Sequence, residues 1–506
     1  MKLRRGPQEH KDEVFVGNRD LLKQESTSGY EKMKWLFLAC LIFRWLNSII
    51  VRTAFNPDEY WQSLEVAHDM VFGYGWRTWE WSEGIRSYIH PLIFSIPYYL
   101  LRATGLDSTQ LIIVLPKLIQ GTFTAICDVY VYKLSLRIFG HNVAEWTMFF
   151  WLTNWFVFYC MVRTFSNSLE TVLTTVALSY WNWFPHIDSR STSSSAGSTN
   201  MSLSLSLAAL SVLIRPTSLI LWVVLAVHQM LYSVTLKQRL HFVYQCLLVG
   251  SLSLFILVAI DSYCYGKFTF ILYNFISFNL INDAGVLYGT HPWHWYITQG
   301  LPTILGGYLP FFLLGIIPST RKNLMLFIMI IFSVIVLSQS SHKEFRFLLP
   351  LMPICFIISS LYASTQFGAF HVKRWSIQTK TIIGVTTSIN LFMAIYFSLF
   401  HQSGAISAHR ERMGRPIDVH FLMSCHSTPH QSYIHDETVR LMMLDCSPQF
   451  PFNPNQVDQT RQFDRDPASF VSHFYDPTKE DYAIVMEGQS RRLPDLIITF
   501  TRRKKD

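Results

Sequence analysis

Charge is scarce in this sequence. Asp, Glu, Lys and Arg together make up 15% of the 506 residues, whereas apolar residues make up 50%. A water-soluble protein of this length needs more polar surface, so an ordinary soluble globular fold is excluded. The sequence also lacks a basic stripe and a nucleic-acid-binding motif, because the residues behind its net charge of +8 are scattered over short loops. Nucleic acid is therefore not an expected partner, and the composition indicates an integral membrane protein.

The apolar residues are grouped in long runs without strand-like alternation. With a window of about 20 residues, the length that crosses about 30 Å of hydrocarbon, about twelve such runs stand out. Continuous runs predict helices, which satisfy their own backbone hydrogen bonds in lipid. The predicted fold class is therefore an all-α polytopic membrane protein. The runs lie at roughly 33–51, 88–103, 111–136, 146–162, 169–184, 201–214, 218–235, 243–265, 300–318, 324–341, 346–363 and 381–401.

Short loops rich in Lys and Arg predict the orientation of these helices. The positive-inside rule assigns the N-terminal tail and loops such as 373–374 to the cytosol. This assignment places the loops 52–87 and 266–299, and everything after residue 402, in the lumen. The first thirty residues are polar and do not resemble a cleavable secretory signal, so the first apolar run is expected to remain as a helix.

The number of apolar runs conflicts with this orientation. Twelve crossings would bring both ends of the chain to the same side, whereas the charges place them on opposite sides. One run is therefore expected not to span, which leaves about eleven transmembrane helices. The run 88–103 is preferred because it is short and is interrupted by Pro91 and Pro97. The short run 201–214 is the alternative.

The chain divides into three parts: a cytosolic tail at 1–32, a transmembrane domain at 33–402 and a lumenal domain at 403–506. The last part has no apolar span and contains short strand-like runs, which predict a small α/β cap. Cys425 and Cys446 lie within it and could form a disulfide in an oxidising lumen. Their spacing alone leaves that pairing open.

The segment FNPDEYWQSLEVAH, residues 55–68, begins where the first apolar run ends. Asn56 and Pro57 are typical of a helix start, and Glu59 stands where a capping-box acid would. The apolar residues that follow share one face, which predicts an amphipathic helix on the lumenal membrane surface. None of this requires Asp58. Asp58 is therefore a candidate catalytic carboxylate, and Glu59 is either its helper or only a cap.

The first apolar run contains a charge. Arg44 lies near the middle of this run, with Asn47 one helical turn away. A charge at the centre of a transmembrane helix costs at least about 2.5 kcal/mol and marks a functional site by default. Snorkelling to the membrane surface is a fair alternative for Arg52 but not for Arg44.

Two lumenal loops combine aromatic rings with polar groups. Flat rings beside polar side chains are typical of sugar-binding sites, although interfacial Trp residues also anchor proteins in membranes. His291 and His294 lack a third ligand at a suitable spacing, so no metal site is predicted. The candidate residues for binding the acceptor or its sugars are Trp61, Glu80, Trp81, Arg86, His291, Trp293 and His294.

A second group of candidates is mainly cationic. The segment 341–347 places a histidine, a lysine and an arginine around an acid between two apolar runs, and Arg and Lys are well suited to bind phosphate. A solvated turn is the alternative for this segment. The candidate residues for binding a phosphate or sugar of the donor are Arg163, Arg215, His342, Lys343, Glu344 and Arg346.

Five segments resemble one enzyme family. Together they are similar to the dolichyl-phosphate-mannose-dependent mannosyltransferases of glycosyltransferase family 22, from about residue 35 to about residue 440. HPWHWY, which follows NLINDAGVLYGT, is similar in particular to members that act in GPI-anchor biosynthesis. The five segments are NPDEYWQSLEVAH at 56–68, RTFSNSLE at 163–170, HPWHWY at 291–296, HKEFRFLLP at 342–350 and CHSTPHQSYIH at 425–435.

The resemblance implies a GT-C fold in the endoplasmic reticulum membrane, with a lumenal active site. It implies inverting α-1,2 transfer of a third mannose from dolichyl-phosphate-mannose to the GPI glycolipid precursor, without a cofactor. Asp58 would then be the base, and His342, Lys343 and Arg346 would contact the donor phosphate. Because phosphate leaves as a stable anion, no second carboxylic acid is needed. Protein partners are not implied.

Two alternatives remain open at this point. A mannosyltransferase acting on the lipid-linked N-glycan precursor shares the first-loop and His-Lys-Glu segments. A lipid or solute transporter belongs to a different class, and transporters keep their polar groups near the middle of the bilayer. In this sequence most charged motifs lie in loops on one face.

Overall fold

The structure of the protein is a computed structural model. It describes residues 31–183, 200–278, 285–286, 289–407, 417–448, 457–475 and 494–499. The predicted tail 1–32 therefore lies almost wholly outside the described residues, most of which are helical. The helices are α1 Glu31–Ile50, α2 Glu65–Phe72, α3 Trp79–Ser82, α4 Ile89–Thr104, α5 Thr109–Phe139, α6 His141–Thr153, α7 Trp155–Cys160, α8 Ser166–Tyr180, α9 Met201–Ile214, α10 Leu219–Tyr232, α11 Leu236–Tyr265, α12 Ile271–Ile276, α13 Leu301–Leu305, α14 Leu309–Lys322, α15 Leu324–Ser338, α16 Met352–Phe367, α17 Ile377–Leu399, α18 Gly404–Ser407, α19 Gln431–Ile434, α20 Gln459–Arg465 and α21 Pro467–Phe474. The strands are β1 Ile417–Phe421, β2 Val439–Met443 and β3 Leu496–Ile498.

Several helices of the described chain are long and apolar enough to cross a membrane. They are α1, α5, α11 and the helical stretches Tyr296–Lys322, Phe345–Phe367 and Ile377–Ile406. Shorter apolar helices at Met201–Ile214, Pro216–Tyr232 and Leu324–Ser338 accompany them. The protein is thus an all-α multi-pass membrane protein with a small α/β part near its C-terminus. The count of about eleven spans is not confirmed.

The apolar run predicted at 146–162 is not one helix. α6 ends at Thr153, and α7 begins after Asn154, which has an extended backbone. The Asn154 side chain accepts hydrogen bonds from the backbone N–H groups of Phe156 and Val157, both at 3.0 Å, and donates to the Ile304 carbonyl. This amide caps the new helix and satisfies backbone groups that a break inside the bundle would otherwise leave unpaired.

The run 88–103, predicted not to span, forms the 16-residue helix α4 with Pro97 inside it. It is absent from the set of helices long enough to cross a membrane. Ile96 and Tyr99 are exposed, whereas Phe94 and Tyr98 are fully buried. α4 therefore has one apolar face outside the protein, and its failure to span stays a prediction.

Arg44 binds Asp128 of α5 rather than facing an open site. Its Nε and Nη2 lie 2.7 and 2.8 Å from the two carboxylate oxygens, and Trp151 Nε1 donates to Asp128 Oδ1 at 2.6 Å. Both charged side chains are fully buried. Gly121 allows α1 and α5 to approach closely, since a Cβ at this position would lie only 2.6 Å from Ser48 Oγ. The functional-site interpretation of Arg44 is therefore corrected: the pair fastens α1 to α5.

Replacing Arg44 alone tests this structural role. Arg44→Leu leaves the Asp128 carboxylate buried without a counter-charge, which should destabilise the protein by about 3–5 kcal/mol. The double variant Arg44→Leu/Asp128→Leu removes both charges and should recover most of that loss. The measurement is the thermal unfolding midpoint of the detergent-purified proteins. A double variant as unstable as the single one would contradict the ion-pair account.

The described C-terminal part contains a parallel sheet with strand order β2-β1-β3. In β1, Val419 pairs with Leu441 on one side and with Leu496 on the other. Cys425 and Cys446 form a disulfide, which answers the question that their spacing left open. Short helices lie between the strands, so this part is α/β.

The sheet packs against the first loop of the membrane domain. Buried Val419 and Phe421 belong to the same apolar cluster as Tyr60 and Leu64, which follow the predicted catalytic carboxylates. Phe94 of α4 completes this contact. The cap therefore helps to fix the orientation of the helix that carries Asp58.

Candidate active site

Asn56 starts the helix that carries the candidate carboxylates. Its Oδ1 accepts a hydrogen bond from the Asp58 backbone N–H at 3.0 Å, as expected of an N-cap. The chain continues through one turn of π-helix, Tyr60–Leu64, into α2. Glu59 does not complete a capping box. Its Oε2 instead accepts from Arg163 Nη1 at 2.7 Å, which corrects the interpretation of Glu59 as a cap.

An ion pair joins the first loop to the His-Lys-Glu segment. Arg346 Nη2 donates to Asp58 Oδ2 at 2.5 Å across 288 residues of sequence. Arg346 Nε and Nη2 also donate to the two oxygens of Glu344, at 2.5 and 2.8 Å. Asn56 Nδ2 and His342 Nε2 contact the same Glu344 carboxylate at 3.1 and 2.8 Å. These five residues form one network, called the ion cluster below.

Asp58 is the most accessible acid of the ion cluster. Its side chain is 26% exposed, against 16% for Glu344 and 3% for the Arg346 side chain between them. Arg346 holds Asp58 Oδ2, whereas Oδ1 makes no hydrogen bond within the described part of the chain. Asp58 therefore presents a fixed carboxylate with one oxygen left for a ligand.

Glu344 is held in its ionised form. Burial alone would raise the pKa of its carboxyl, but the Arg346 charge and the hydrogen bonds from His342 and Arg346 outweigh burial and hold the pKa well below its usual range. A carboxylate held so strongly is a poor acceptor for a substrate proton. It serves to balance Arg346 and to orient it toward Asp58.

Arg163 is not open to a phosphate. It is 2% exposed, and its donors bind Glu59 Oε2, the Thr53 carbonyl, Thr53 Oγ1 and the Tyr159 carbonyl. The structure thus assigns Arg163 to holding the start of the helix, and the prediction that it binds the donor is corrected. Thr164 adds to this support by donating to the Glu59 carbonyl at 2.8 Å.

Lys343 likewise binds protein rather than facing an open surface. Its buried Nζ donates to the backbone carbonyls of His291 and Ser340. The backbone N–H of His291 donates to the Ser341 carbonyl at 3.0 Å. The HPWHWY and His-Lys-Glu segments are therefore fastened together, and the contact of Lys343 with the donor phosphate stays a prediction.

A cleft that is partly open to solvent lies near the ion cluster. Arg215, whose Nη1 donates to Ser166 Oγ at 3.0 Å, and Arg86, which is paired with Glu80 at 2.7 Å, both line it. Arg215 also lies near enough to Arg346 and Asp58 to feel their charges. The other side of the cleft is apolar. Its apolar lining includes Leu213, Ile214, Leu257, Leu272 and Phe275.

The predicted sugar-binding aromatic residues occupy two different environments. Trp61 and Trp81 are almost fully buried, and Trp81 Nε1 donates to the Trp61 carbonyl at 3.2 Å. Trp81 nevertheless contributes to the cleft wall, whereas Trp293 is 70% exposed. His294, partly exposed, lies beside Trp293, and its Nδ1 contacts Thr298 Oγ1 at 3.1 Å. Of these three indoles, Trp293 is the most open to a ligand, and Trp61 has a packing role.

One face of the helix that follows Asp58 binds the CHSTPHQSYIH segment. Sequence reasoning missed Glu65 and His68 on this face. Trp61 Nε1 donates to the Thr428 carbonyl, Glu65 accepts from the N–H of His430 and from Ser432, and His68 Nε2 lies 2.8 Å from His435 Nδ1. Positions 61, 65 and 68 recur at helical spacing, which was the available signal. This face ties the cap to the helix that follows Asp58.

The described residues contain no group of three or more His, Cys, Asp or Glu side chains placed to hold a metal ion. The ion cluster holds two acids and one histidine, and Arg346 lies between the acids. The expectation that no metal or cofactor takes part stays a prediction.

The fold is similar to that of ArnT from Cupriavidus metallidurans, solved bound to undecaprenyl phosphate. The TM-score is 0.56 at 13% sequence identity, over 89% of this chain and 93% of ArnT. The chain thus has the GT-C fold, as the sequence resemblance implied.

Residues 35–435 match the Alg9-like mannosyltransferase family, and the chain belongs to that family. Mannosyltransferase APTG1 of Arabidopsis thaliana is 38% identical over 92% of this chain and 86% of its own length. GPI alpha-1,2-mannosyltransferase 3 of Danio rerio is 38% identical over 85% of this chain and 78% of its own length.

Glu65 makes the stability of the cap contact depend on pH. Burial raises the pKa of its carboxyl from 4.5 to about 7, although hydrogen bonds from Ser432 and His430 oppose the change. The raised pKa means that the stability it contributes is fully present below pH 4.5 and is lost as the pH rises through 7. The thermal midpoint of the parent should therefore fall, relative to Glu65→Gln, across this range. A constant difference between the two proteins from pH 4.5 to 8 would contradict this.

Proposed function

We propose that this chain transfers the third mannose from dolichyl-phosphate-mannose to the GPI-anchor precursor at a site facing the lumen of the endoplasmic reticulum. The zebrafish relative carries the name of that activity, and the two proteins align over most of their lengths. The observation that carries the proposal is the contact between Asp58 and Arg346, which unites the two motifs that the sequence resemblance had singled out.

The reaction requires one base and a group that stabilises the phosphate leaving group. The 2-hydroxyl oxygen of the acceptor mannose forms a bond to C1 of the donor mannose. The bond from C1 to the phosphate oxygen breaks on the opposite side, and its electron pair leaves with dolichyl phosphate. The hydroxyl proton passes to Asp58. Inversion at C1 converts the β-linked donor into an α-linked product.

Asp58 suits the role of base better than its neighbours. Glu59 is bound to buried Arg163, and Glu344 is surrounded by Arg346, His342 and Asn56. Asp58 alone combines a fixed position with a partly exposed carboxylate. Glu59 therefore acts through Arg163 as a positioning residue, which refines its expected role as helper.

The cleft beside the ion cluster suits the donor lipid. Arg215 and Arg86 provide guanidinium groups for a phosphate, and the apolar wall suits the first isoprene units. The ArnT neighbour was solved with undecaprenyl phosphate, which, like the lipid part of the proposed donor, combines a phosphate with a polyisoprenoid chain. This proposal keeps Arg215 and Arg346 on the donor side and moves Arg86 there from the acceptor group. His291, Trp293 and His294 remain on the acceptor side, and we propose no metal or cofactor.

The closest rival changes only the acceptor. The matching family is described as Alg9-like, which favours a lipid-linked N-glycan precursor as the second candidate. The zebrafish relative favours the GPI precursor. A transporter is disfavoured because the charge buried at mid-membrane, Arg44, is neutralised by Asp128 within the helix bundle.

Asp58→Asn should abolish mannose transfer by the purified protein, because the amide keeps the shape but cannot take the proton. The variant should remain folded with a lower thermal midpoint, because buried Arg346 loses one of its two counter-charges and keeps Glu344. Glu59→Gln should retain partial activity. The control Asp69→Asn changes the same side chain farther along this helical segment, where it pairs with Arg77, and should transfer at the parent rate. Transfer by Asp58→Asn at the parent rate would remove this residue from the mechanism.

Complementation identifies the acceptor. In cells that lack the third GPI mannosyltransferase, this chain should restore GPI-anchored proteins at the surface, and the Asp58→Asn variant should not. The readout is flow cytometry of a GPI-anchored marker. Correction of truncated N-glycans in the corresponding mutant cells, with no effect on the marker, would instead support the second candidate. Transfer in detergent, where no compartments exist, distinguishes either enzyme from a transporter.

A further inference from the structure

Two buried polar side chains on the cleft wall have no part in the chemistry described so far. Gln62 follows Asp58 by about one helical turn, and His90 lies in the first turn of α4. Both line the cleft, which Arg86 and Arg215 also line. They therefore share the cleft with the cations proposed to bind the donor phosphate, and Gln62 lies on the helix that carries the candidate base.

The polar atoms of these side chains lack partners. Gln62 Nε2 and both ring nitrogens of His90 are buried and make no hydrogen bond of good geometry to any residue that the structure describes. The Gln62 backbone lies close enough to the His90 ring to act as a hydrogen-bond partner and raise its pKa, although burial outweighs this effect. Folded proteins normally pair buried donors and acceptors, because an unpaired one keeps the full cost of losing water. Orphaned nitrogens from two residues on one wall point to a ligand that supplies the partners.

The chemistry of this wall suits a neutral polyhydroxyl group rather than an anion. Burial lowers the pKa of His90 to about 4, and the Arg215 charge acts in the same direction. At neutral pH the imidazole is therefore uncharged and can both donate and accept a hydrogen bond, as can the Gln62 amide. A sugar hydroxyl also does both. The phosphate and the lipid chain already have the guanidinium groups and the apolar wall.

We propose that Gln62 and His90 hydrogen-bond the hydroxyl groups of the mannosyl unit of the lipid-phosphate donor. This inference rests on the proposed function and adds the residues that recognise the transferred sugar. When the mannosyl unit is held there, the donor phosphate points toward Arg215 and Arg86, and the sugar ring lies near the helix turn that carries Asp58. Gln62 then shares a helix with the base, and His90 holds the sugar from α4, so a correctly bound donor is also placed for attack.

The test compares ligands with and without the sugar. Gln62→Met and His90→Phe keep the shapes of the side chains but remove their hydrogen-bonding atoms. Dolichyl phosphate lacks the mannosyl unit and should inhibit both variants as strongly as it inhibits the parent. With dolichyl-phosphate-mannose, kcat/KM should fall about tenfold or more, the loss expected for a buried hydrogen bond, while KM for the acceptor glycolipid stays unchanged. Gln229→Met is the matched control, because Gln229 is also 7% exposed with an orphaned amide oxygen but lies in α10 and does not line the cleft.

A binding readout separates this inference from the proposed function. Saturating dolichyl-phosphate-mannose should raise the thermal midpoint of the parent by more than dolichyl phosphate does, and this difference should vanish in both variants, whether or not the acceptor has been identified correctly. Transfer to the wrong acceptor would overturn the proposed function alone. The inference is overturned if both variants keep donor kinetics within about twofold of the parent, or if inhibition by dolichyl phosphate weakens in parallel with donor use.

Discussion

The ion pair between Asp58 and Arg346 is the contact on which the site depends. It brings the start of the helix that follows the first apolar run against a segment 288 residues away. Arg346 is buried, so it requires counter-charges, and Asp58 and Glu344 provide them. A residue that needs two acids for its own stability thereby fixes the acid that we propose as the base. Structural and chemical requirements are met by the same guanidinium.

The carboxylates of the first loop and of the His-Lys-Glu segment have different structural roles. Glu59 binds Arg163 and holds the helix start, Glu65 binds the cap through Ser432 and His430, and Glu344 orients Arg346. Each of these acids is buried or surrounded by donors. The partly exposed one, Asp58, remains available for the proposed proton transfer. Because these charged groups are already held in place, they do not need to reorganise during the reaction. This suits the proposed transfer, which mainly requires that two lipid-linked substrates are placed correctly.

Local features of the fold were predictable, but long-range partners were not. The Asn56 cap and most of the apolar helices follow from short patterns that the structure keeps. The break at Asn154 does not, because an amide inside an apolar run signals a cap only when a carbonyl such as that of Ile304 is nearby. Arg44 was recognised as costly in lipid, but the neutralising Asp128 lies 84 residues away on another helix.

The same distinction applies to the site. The segments that meet in the ion cluster were all singled out from the sequence, since charge at a membrane edge is unusual in any context. Charge alone did not reveal which cations bind protein. Arg163 and Lys343 looked equivalent to Arg346, and only tertiary contacts with Thr53 and His291 give them structural roles. Gln62 carries no charge and lies in a motif already explained as a helix, so no local pattern marked it.

The most direct test of the central claim is an experimental structure of the protein with the acceptor glycolipid and a non-transferable phosphonate analogue of the donor. The account predicts the acceptor hydroxyl within about 2.6–3.2 Å of Asp58, with Arg346 still bound to its other oxygen and the phosphonate between Arg215 and Arg86. A hydroxyl bound to a different carboxylate, or an Asp58 separated from Arg346 when both ligands are present, would contradict it.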